Sequence, residues 1–290
     1  MASLKAIRKR ITSVKSTQKI TKAMKMVSAA KLRRAQDAAT AARPYADKLS
    51  ELLRSVASRI GTASDTEAHP LLQARAEERN VHVLLVTADR GLCGGYNANL
   101  IRKAEIFLQE RGRERVRMTL VGRRGFDYFK KRSVTIADKH INLFGGPTAE
   151  LTVTIGTRLA AEFAEGTVDG VYLIYGAFRS ALVQTPTLLQ LLPVPTDAGA
   201  QQAALDYLYE PSSAELLDRL VRQYITVLIH RAFLEATASE HGARMTAMES
   251  ATNNAADMIN RLTLDMNRAR QATITKELME IVGGAEALKG

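Results

Sequence analysis

The sequence predicts an α/β chain in which two long terminal helices pair as an antiparallel coiled coil and a small, mainly parallel-sheet α/β domain is inserted between them. Three observations carry this. Apolar residues recur at three- and four-residue steps over both ends of the 290-residue chain. The middle third alternates short β-rich runs with helical stretches. Finally, the two long terminal patterns each need a helical partner, and an antiparallel pairing across an inserted domain needs no extra crossover.

Residues 1–60 read as the first helix. Leu4, Ile7, Ile11, Val14, Met24 and Val27 mark its apolar face. Between Val14 and Met24 the inward positions fall to Thr17, Gln18 and Thr21, a locally polar seam. Pro44 is expected to kink the helix or to mark a change of partner face. Residues 61–79 form a polar linker.

The α/β domain is expected over 80–195. Its strands are Val81 to Thr87, Arg117 to Val121, a weak candidate at Ser133 to Ala137, Gly170 to Tyr175, and an edge strand at Thr185 to Val194. Helices are expected at 97–111, 123–132 and 149–165 between them. Residues 196–210 follow as a loop, and 211–290 form the second long helix, with Pro211 near its start. There Met245, Met248, Thr252, Ala255, Ile259, Leu262, Met266 and Ala269 make a near-heptad seam. A registration with Met1 near Met266 leaves 273–287 beyond the reach of the first helix.

Charge is concentrated at one end. The first 36 residues hold Lys5, Arg8, Lys9, Arg10, Lys15, Lys19, Lys22, Lys25, Lys31, Arg33 and Arg34 and no acid, whereas the whole chain has 41 basic and 30 acidic residues, so the remainder is balanced. A lone helix carrying so many cations without compensation is self-repelling, which points to an acidic partner surface. A mitochondrial presequence has a similar composition, but the amphipathic pattern runs on past residue 36 without a break. Duplex nucleic acid is a competing partner. Single strands are disfavoured because the first aromatic is Tyr45.

No catalytic constellation emerges. Asp89 to Gly95 follows a strand and precedes a helix, but its glycines fit neither phosphate-loop spacing, so a tight structural turn is the expectation over a nucleotide or other cofactor site. Cys93 reads as a small buried thiol. The five histidines lack any paired metal-ligand spacing, so no metal is expected. No apolar run is long enough to span a bilayer, and any membrane association is expected to be indirect.

Three stretches carry a resemblance. ITSVKSTQKITKAMKMVSAAK (Ile11 to Lys31), TADRGLCGGYNANL (Thr87 to Leu100) and ARMTAMESATNNAADMI followed by NRARQATITKELMEIVGGAEAL together resemble the gamma subunit of the F-type ATP synthase, bacterial type, from end to end. The resemblance implies a left-handed coiled coil acting as the central rotor shaft inside a hexamer of alpha and beta subunits. It implies a lobe that binds epsilon and sits on the membrane c-ring, and ion flow, of protons or sodium, coupled to ATP synthesis or hydrolysis. Catalysis then resides on beta and this chain is no enzyme. Carried over by motif, Lys22, Met24, Lys25, Arg270, Gln271 and Thr275 are implied beta contacts. Tyr207, Tyr209 and Glu210 are implied c-ring contacts in a foot segment. Met24-Lys25 departs from the Met followed by an acid that bacterial relatives often carry. The implied place is peripheral, on the cytoplasmic side of the cell inner membrane, with no nucleic acid bound.

Overall fold

The computed structural model describes residues 4–60, 69–143, 148–195 and 213–287. In chain order the elements are α1 (Leu4–Ile60), β1 (Val81–Val86), α2 (Tyr96–Arg111), a 3-10 turn (Arg113–Arg115), β2 (Val116–Val121), α3 (Arg123–Phe129), β3 (Thr135–His140), α4 (Ala149–Ala164), β4 (Gly170–Phe178), β5 (Gln184–Leu192) and α5 (Ser213–Ala287). The chain divides into two compact units, Met1–Ser28 with Met245–Gly290, and Ala29–Arg244.

The first unit is a helix pair. Its register is fixed by a hydrogen bond between the Thr21 and Thr252 hydroxyls at 2.8 Å and by the Lys25–Glu249 ion pair at 2.6 Å. Carried along both helices, that register sets Leu4 opposite Ala269, Ile7 opposite Met266, Ile11 opposite Leu262, Val14 opposite Ile259, Gln18 opposite Ala255, Lys25 opposite Met248 and Ser28 opposite Met245. Each of these positions is buried or half-buried. Steps of three along one helix meet steps of three along the other, the 3.5-residue period of a coiled coil. Met266 therefore lies opposite Ile7, and Met1, which the sequence reading set near it, lies outside the described residues. From Arg270 to Ala285 every α5 residue is exposed.

Beyond Val14 the α1 seam keeps to the sequence expectation at Gln18 and Thr21, which are inward, and departs from it at Thr17 and after Thr21. Thr17 is exposed, Val27 is 58 % exposed, and Thr21, Lys25 and Ser28 take the inward places. The strict heptad carries the inward stripe past the apolar residues beside it. The same 3-4 spacing continues as Leu32, Ala35, Ala39, Ala42, Ala46, Leu49 and Leu53, so the inward face does not change at Pro44, which is exposed within an uninterrupted helix.

The second unit is a three-layer sandwich around a five-stranded sheet of order β3-β2-β1-β4-β5, parallel except for β5. Val81, Val83 and Leu85 of β1 pack with Leu100, Phe107 and Leu108 of α2 and Phe129 of α3. Leu84 and Val86 point the other way, into a core with Ile155, Leu159 and Phe163 of α4 and Val221, Ile225, Ile229 and Phe233 of α5. On the α4 face the strand positions His82 and Thr119 are polar. Buried His82 meets Glu162 at 2.7 Å and the Thr119 hydroxyl at 2.8 Å, so both of its ring nitrogens are matched, and Arg158 donates to the same hydroxyl. α3 ends at Phe129, earlier than its sequence pattern. β3 runs to His140, beyond the weak candidate at Ser133 to Ala137.

The strand order reverses beside β1. β2 and β3 are laid down on one side of it, and the chain then returns to β4 on the other, so the carboxyl ends of β1 and β4 bracket the place where doubly wound sheets usually receive ligands. Among the described residues no helix is long and apolar enough to cross a membrane.

Candidate functional site

Two features stand out, one in each unit. In the helix pair, Lys5, Arg8, Lys9, Arg10, Lys15, Lys19 and Lys22 are all exposed. Of the cations between residues 4 and 28, only Lys25 has a carboxylate partner among the described residues. Outward apolar side chains are interleaved with them, since Ile20, Met26 and Val27 are also exposed. A face of this kind combines long-range attraction for carboxylates with apolar contact area at short range.

The residues singled out from sequence fall in separate places. Lys22 is exposed, Met24 is half-buried, and Lys25 holds Glu249. Arg270, Gln271 and Thr275 are exposed on the part of α5 beyond the helix pair. Eighteen residues of helix separate Arg270 from Thr252, the partner of Thr21, which is about 27 Å of rise. The pair register therefore does not bring the two groups together. Tyr207, Tyr209 and Glu210 lie outside the described residues.

In the second unit, the loop after β1 meets α5 at the switch point. Arg244, only 8 % exposed, donates to the Gly91 carbonyl at 3.3 Å and the Arg90 carbonyl at 3.4 Å and pairs with Glu240 at 2.7 Å. The Tyr96 hydroxyl donates to the Ala236 carbonyl at 3.1 Å. One segment of α5 is thus bonded to the loop at the switch point, where nucleotide-binding proteins of this topology receive their ligand.

The loop's own polar groups are turned inward as well. The Asp89 carboxylate accepts the backbone N–H groups of Arg123 at 2.8 Å, Asn142 at 3.0 Å and Leu143 at 2.6 Å. Asn97 Oδ1 accepts the Ala88 N–H at 2.9 Å, and its amide donates to Cys93 Sγ at 3.1 Å. Donors that cradle phosphate in nucleotide sites are here engaged by a carboxylate and an amide. Burial raises the Cys93 thiol above its ordinary range even though Arg244 opposes this, so it is not poised as a nucleophile. The loop is the tight turn that its glycine spacing predicts, with its polar groups bonded within the lobe.

Sequence reasoning missed Arg244 and Glu240. Their only signal is a charged pair four residues apart in a run of small residues, Ala236 to Ala243. The neighbouring His241 is pushed down to about 4 by burial first and then by Arg244 and Lys31. Its Nδ1 faces an Arg244 N–H at 3.3 Å, which suits a neutral ring that accepts there. A histidine depressed in the fold binds protons more readily when unfolded, so its contribution is intact above pH 6.5 and is lost as pH falls towards 4. Glu240 has the opposite sign, because burial raises its carboxyl above 4.5 and acidification relieves that cost. His241→Gln is expected to flatten the loss of stability between pH 6.5 and 4, and Glu240→Gln to steepen it, in urea midpoints measured across that range. An unaltered slope in His241→Gln locates the sensitivity elsewhere.

Comparison with known proteins agrees with this architecture. The family model described as ATP synthase matches residues 3–288. ATP synthase gamma chains of Geobacter metallireducens and Anaeromyxobacter sp. (strain Fw109-5) are 51 % and 52 % identical to this chain, with all of both chains covered in each case. A chain in the Euglena gracilis mitochondrial ATP synthase, solved as OSCP/F1/c-ring in rotational state 3, shares the fold at a TM-score of 0.67 and 20 % identity. That match covers 98 % of this chain and 94 % of the other. A chain in the Tetrahymena thermophila central stalk/c-ring structure does so at 0.63 and 21 %, covering 80 % and 99 %. With its two-helix pair, its switch-point lobe and full-length identity of about half to such chains, the protein belongs to the ATP synthase gamma-chain family.

Proposed function

We propose that this chain is the central rotor shaft of an F-type ATP synthase, transmitting torque between a membrane c-ring and a catalytic hexamer of alpha and beta subunits. It is a non-catalytic subunit, and ATP chemistry belongs to beta. The observation that carries the reading is the acid-free, exposed cationic face of a register-matched helix pair, in a chain half identical over its whole length to ATP synthase gamma chains.

The physics of a rotor favours such a face. A shaft must be attracted to every one of the surrounding catalytic subunits, yet a deep minimum at one angle would stall rotation. Exposed lysines opposite carboxylates are worth up to about 1 kcal/mol each and are screened by salt, so they hold without trapping. Small inward residues such as Ser28, Ala35 and Ala39 keep α1 slim. Lys22 and Met24 are assigned to the beta contact at this level, with Arg270, Gln271 and Thr275 as a second grip farther along α5. Lys25 enters differently, because its ammonium is held by Glu249. Tyr207, Tyr209 and Glu210 are assigned to the c-ring, and epsilon to the lobe. Membrane association then runs through the c-ring, which makes the chain peripheral on the cytoplasmic side of the inner membrane.

Reconstitution with alpha and beta subunits tests the reading. A single complex of three alpha, three beta and one copy of this chain, with sustained Mg-ATP hydrolysis that depends on the chain, is the expected result. Failure of the folded chain to join a competent alpha-beta assembly overturns it. Lys19→Glu with Lys22→Glu is expected to lower ATP-driven ion pumping at least fivefold at low salt, with the lobe's unfolding midpoint unchanged. Undiminished pumping removes these lysines from the torque path.

A further inference from the structure

Lys25 is placed where a coiled coil normally buries an apolar side chain. It follows Thr21 by four and precedes Ser28 by three, and both of those are buried. Its ammonium leaves the seam at the side and meets Glu249 of α5 at 2.6 Å, one turn from the Thr21–Thr252 hydrogen bond. We propose that Lys25 and Glu249 are an internal register lock of the helix pair, and that Lys25 therefore acts on its own chain and not on an acidic surface outside it.

The need for a lock follows from the seam. Ala255, Gln18, Thr21, Thr252 and Ser28 are small or polar, so this stretch offers little knob-into-hole discrimination between one heptad register and the next. A slip of seven residues in one direction brings Ala256 to the ammonium in place of Glu249, and a slip in the other brings Gly242. Only the observed register gives the charge a partner. A half-exposed pair contributes modestly to overall stability, but in a slipped register Lys25 loses its carboxylate while remaining in the seam. Discrimination between registers, more than stability, is what a polar seam residue supplies.

Lys22, one turn earlier on α1, shows the contrast. It is exposed and has no carboxylate partner among the described residues. The two lysines are close in sequence and carry the same charge, yet one is committed inward and the other is free for a partner. The lock is a property of the chain alone; only its consequence for torque rests on the rotor reading.

A charge swap tests both halves. In a Cys93→Ala background, Val14→Cys with Ile259→Cys reports register through the fraction of disulfide at equilibrium in a glutathione buffer, at opposed seam positions three turns from the lock. Lys25→Glu alone and Glu249→Lys alone are each expected to lower the disulfide-to-dithiol ratio about fivefold, and the swap of both to restore it to within about twofold. A ratio indifferent to the single reversals, or not recovered in the swap, overturns the lock. The same variants are then assembled with alpha, beta and the c-ring. Pumping per ATP falls in Lys25→Glu and recovers in the swap if Lys25 serves only the lock. Recovery of the disulfide without recovery of pumping overturns the claim that Lys25 makes no outside contact. Should the unaltered chain fail to assemble at all, the rotor reading falls while the disulfide result still decides the lock.

Discussion

Gly122→Ala is expected to cost the lobe more than about 4 kcal/mol of folding stability, enough to leave much of the chain unfolded. Gly122 follows β2 and precedes α3 with φ +94° and ψ 138°, a region that side-chain-bearing residues scarcely enter. A β-carbon there would stand 2.0 Å from the Thr87 carbonyl oxygen and 2.6 Å from its carbon. Neither atom can retreat cheaply. The Thr87 N–H donates to the Val121 carbonyl at 2.8 Å, its hydroxyl accepts the Gly125 N–H at 2.9 Å, and the Gly122 N–H is itself bonded to the His140 carbonyl at 2.8 Å. The close approach is where the carboxyl ends of β1, β2 and β3 are drawn together. Gly166→Ala is the control, with φ +75° but nothing within 4 Å of the added carbon, and should cost only about 1 kcal/mol of backbone strain. Urea unfolding of the two variants separates clash from strain. Equal losses would mean that the sheet ends can spread, and that the packing around Thr87 is softer than its hydrogen bonds imply.

How much of this was legible beforehand depends on what each position is paired with. The α5 seam from Met245 to Ala269 was readable because apolar residues mark nearly every inward place, and all eight positions are buried or half-buried. The α1 seam was readable as far as Thr21, with Gln18 and Thr21 inward as expected and Thr17 outside. Beyond it Lys25 and Ser28 occupy the inward stripe while Val27 and Met26 lie outside it, so following hydrophobicity leads off the seam. The buried strands β1 and β4 announced themselves as apolar runs. β3 lies at the sheet edge, where exposed Thr135 and Lys139 dilute the pattern, and its extent was underestimated.

The sites divide along the same line. A free cationic face is a compositional fact, so the acid-free N-terminus pointed to an acidic partner without any structure. Charges that are already satisfied leave no such trace. Nothing in Met24-Lys25 names Glu249, which is 224 positions away, and nothing in the loop from Asp89 names Arg244. Backbone carbonyl acceptors are the hardest partners to read, because every residue has one.

Arg244→Met is therefore the second large effect expected, about 3 kcal/mol or more, from a residue whose side chain makes no contact with any partner subunit in this reading. Methionine approximates the length of the stem and removes the charge. Glu240 would then be a largely buried carboxylate without its cation, and the Arg90 and Gly91 carbonyls would each lose a donor. Adding Glu240→Gln should return a substantial share of the loss, because the orphaned charge and not the missing contact dominates the cost. The loop supplies a second readout. Leu92 sits at its tip with φ 63° and is 64 % exposed, a conformation that an isoleucine or valine would resist and that the clamped carbonyls on its N-terminal side help to hold. Hydrogen exchange at Leu92 to Gly95 should accelerate in Arg244→Met while β1 and β4 stay protected. A uniform acceleration across the sheet would instead make Arg244 a general core residue. Protection unchanged at the loop would show that Asp89 and Asn97 suffice to hold it, and that α5 closes the switch point without stiffening it.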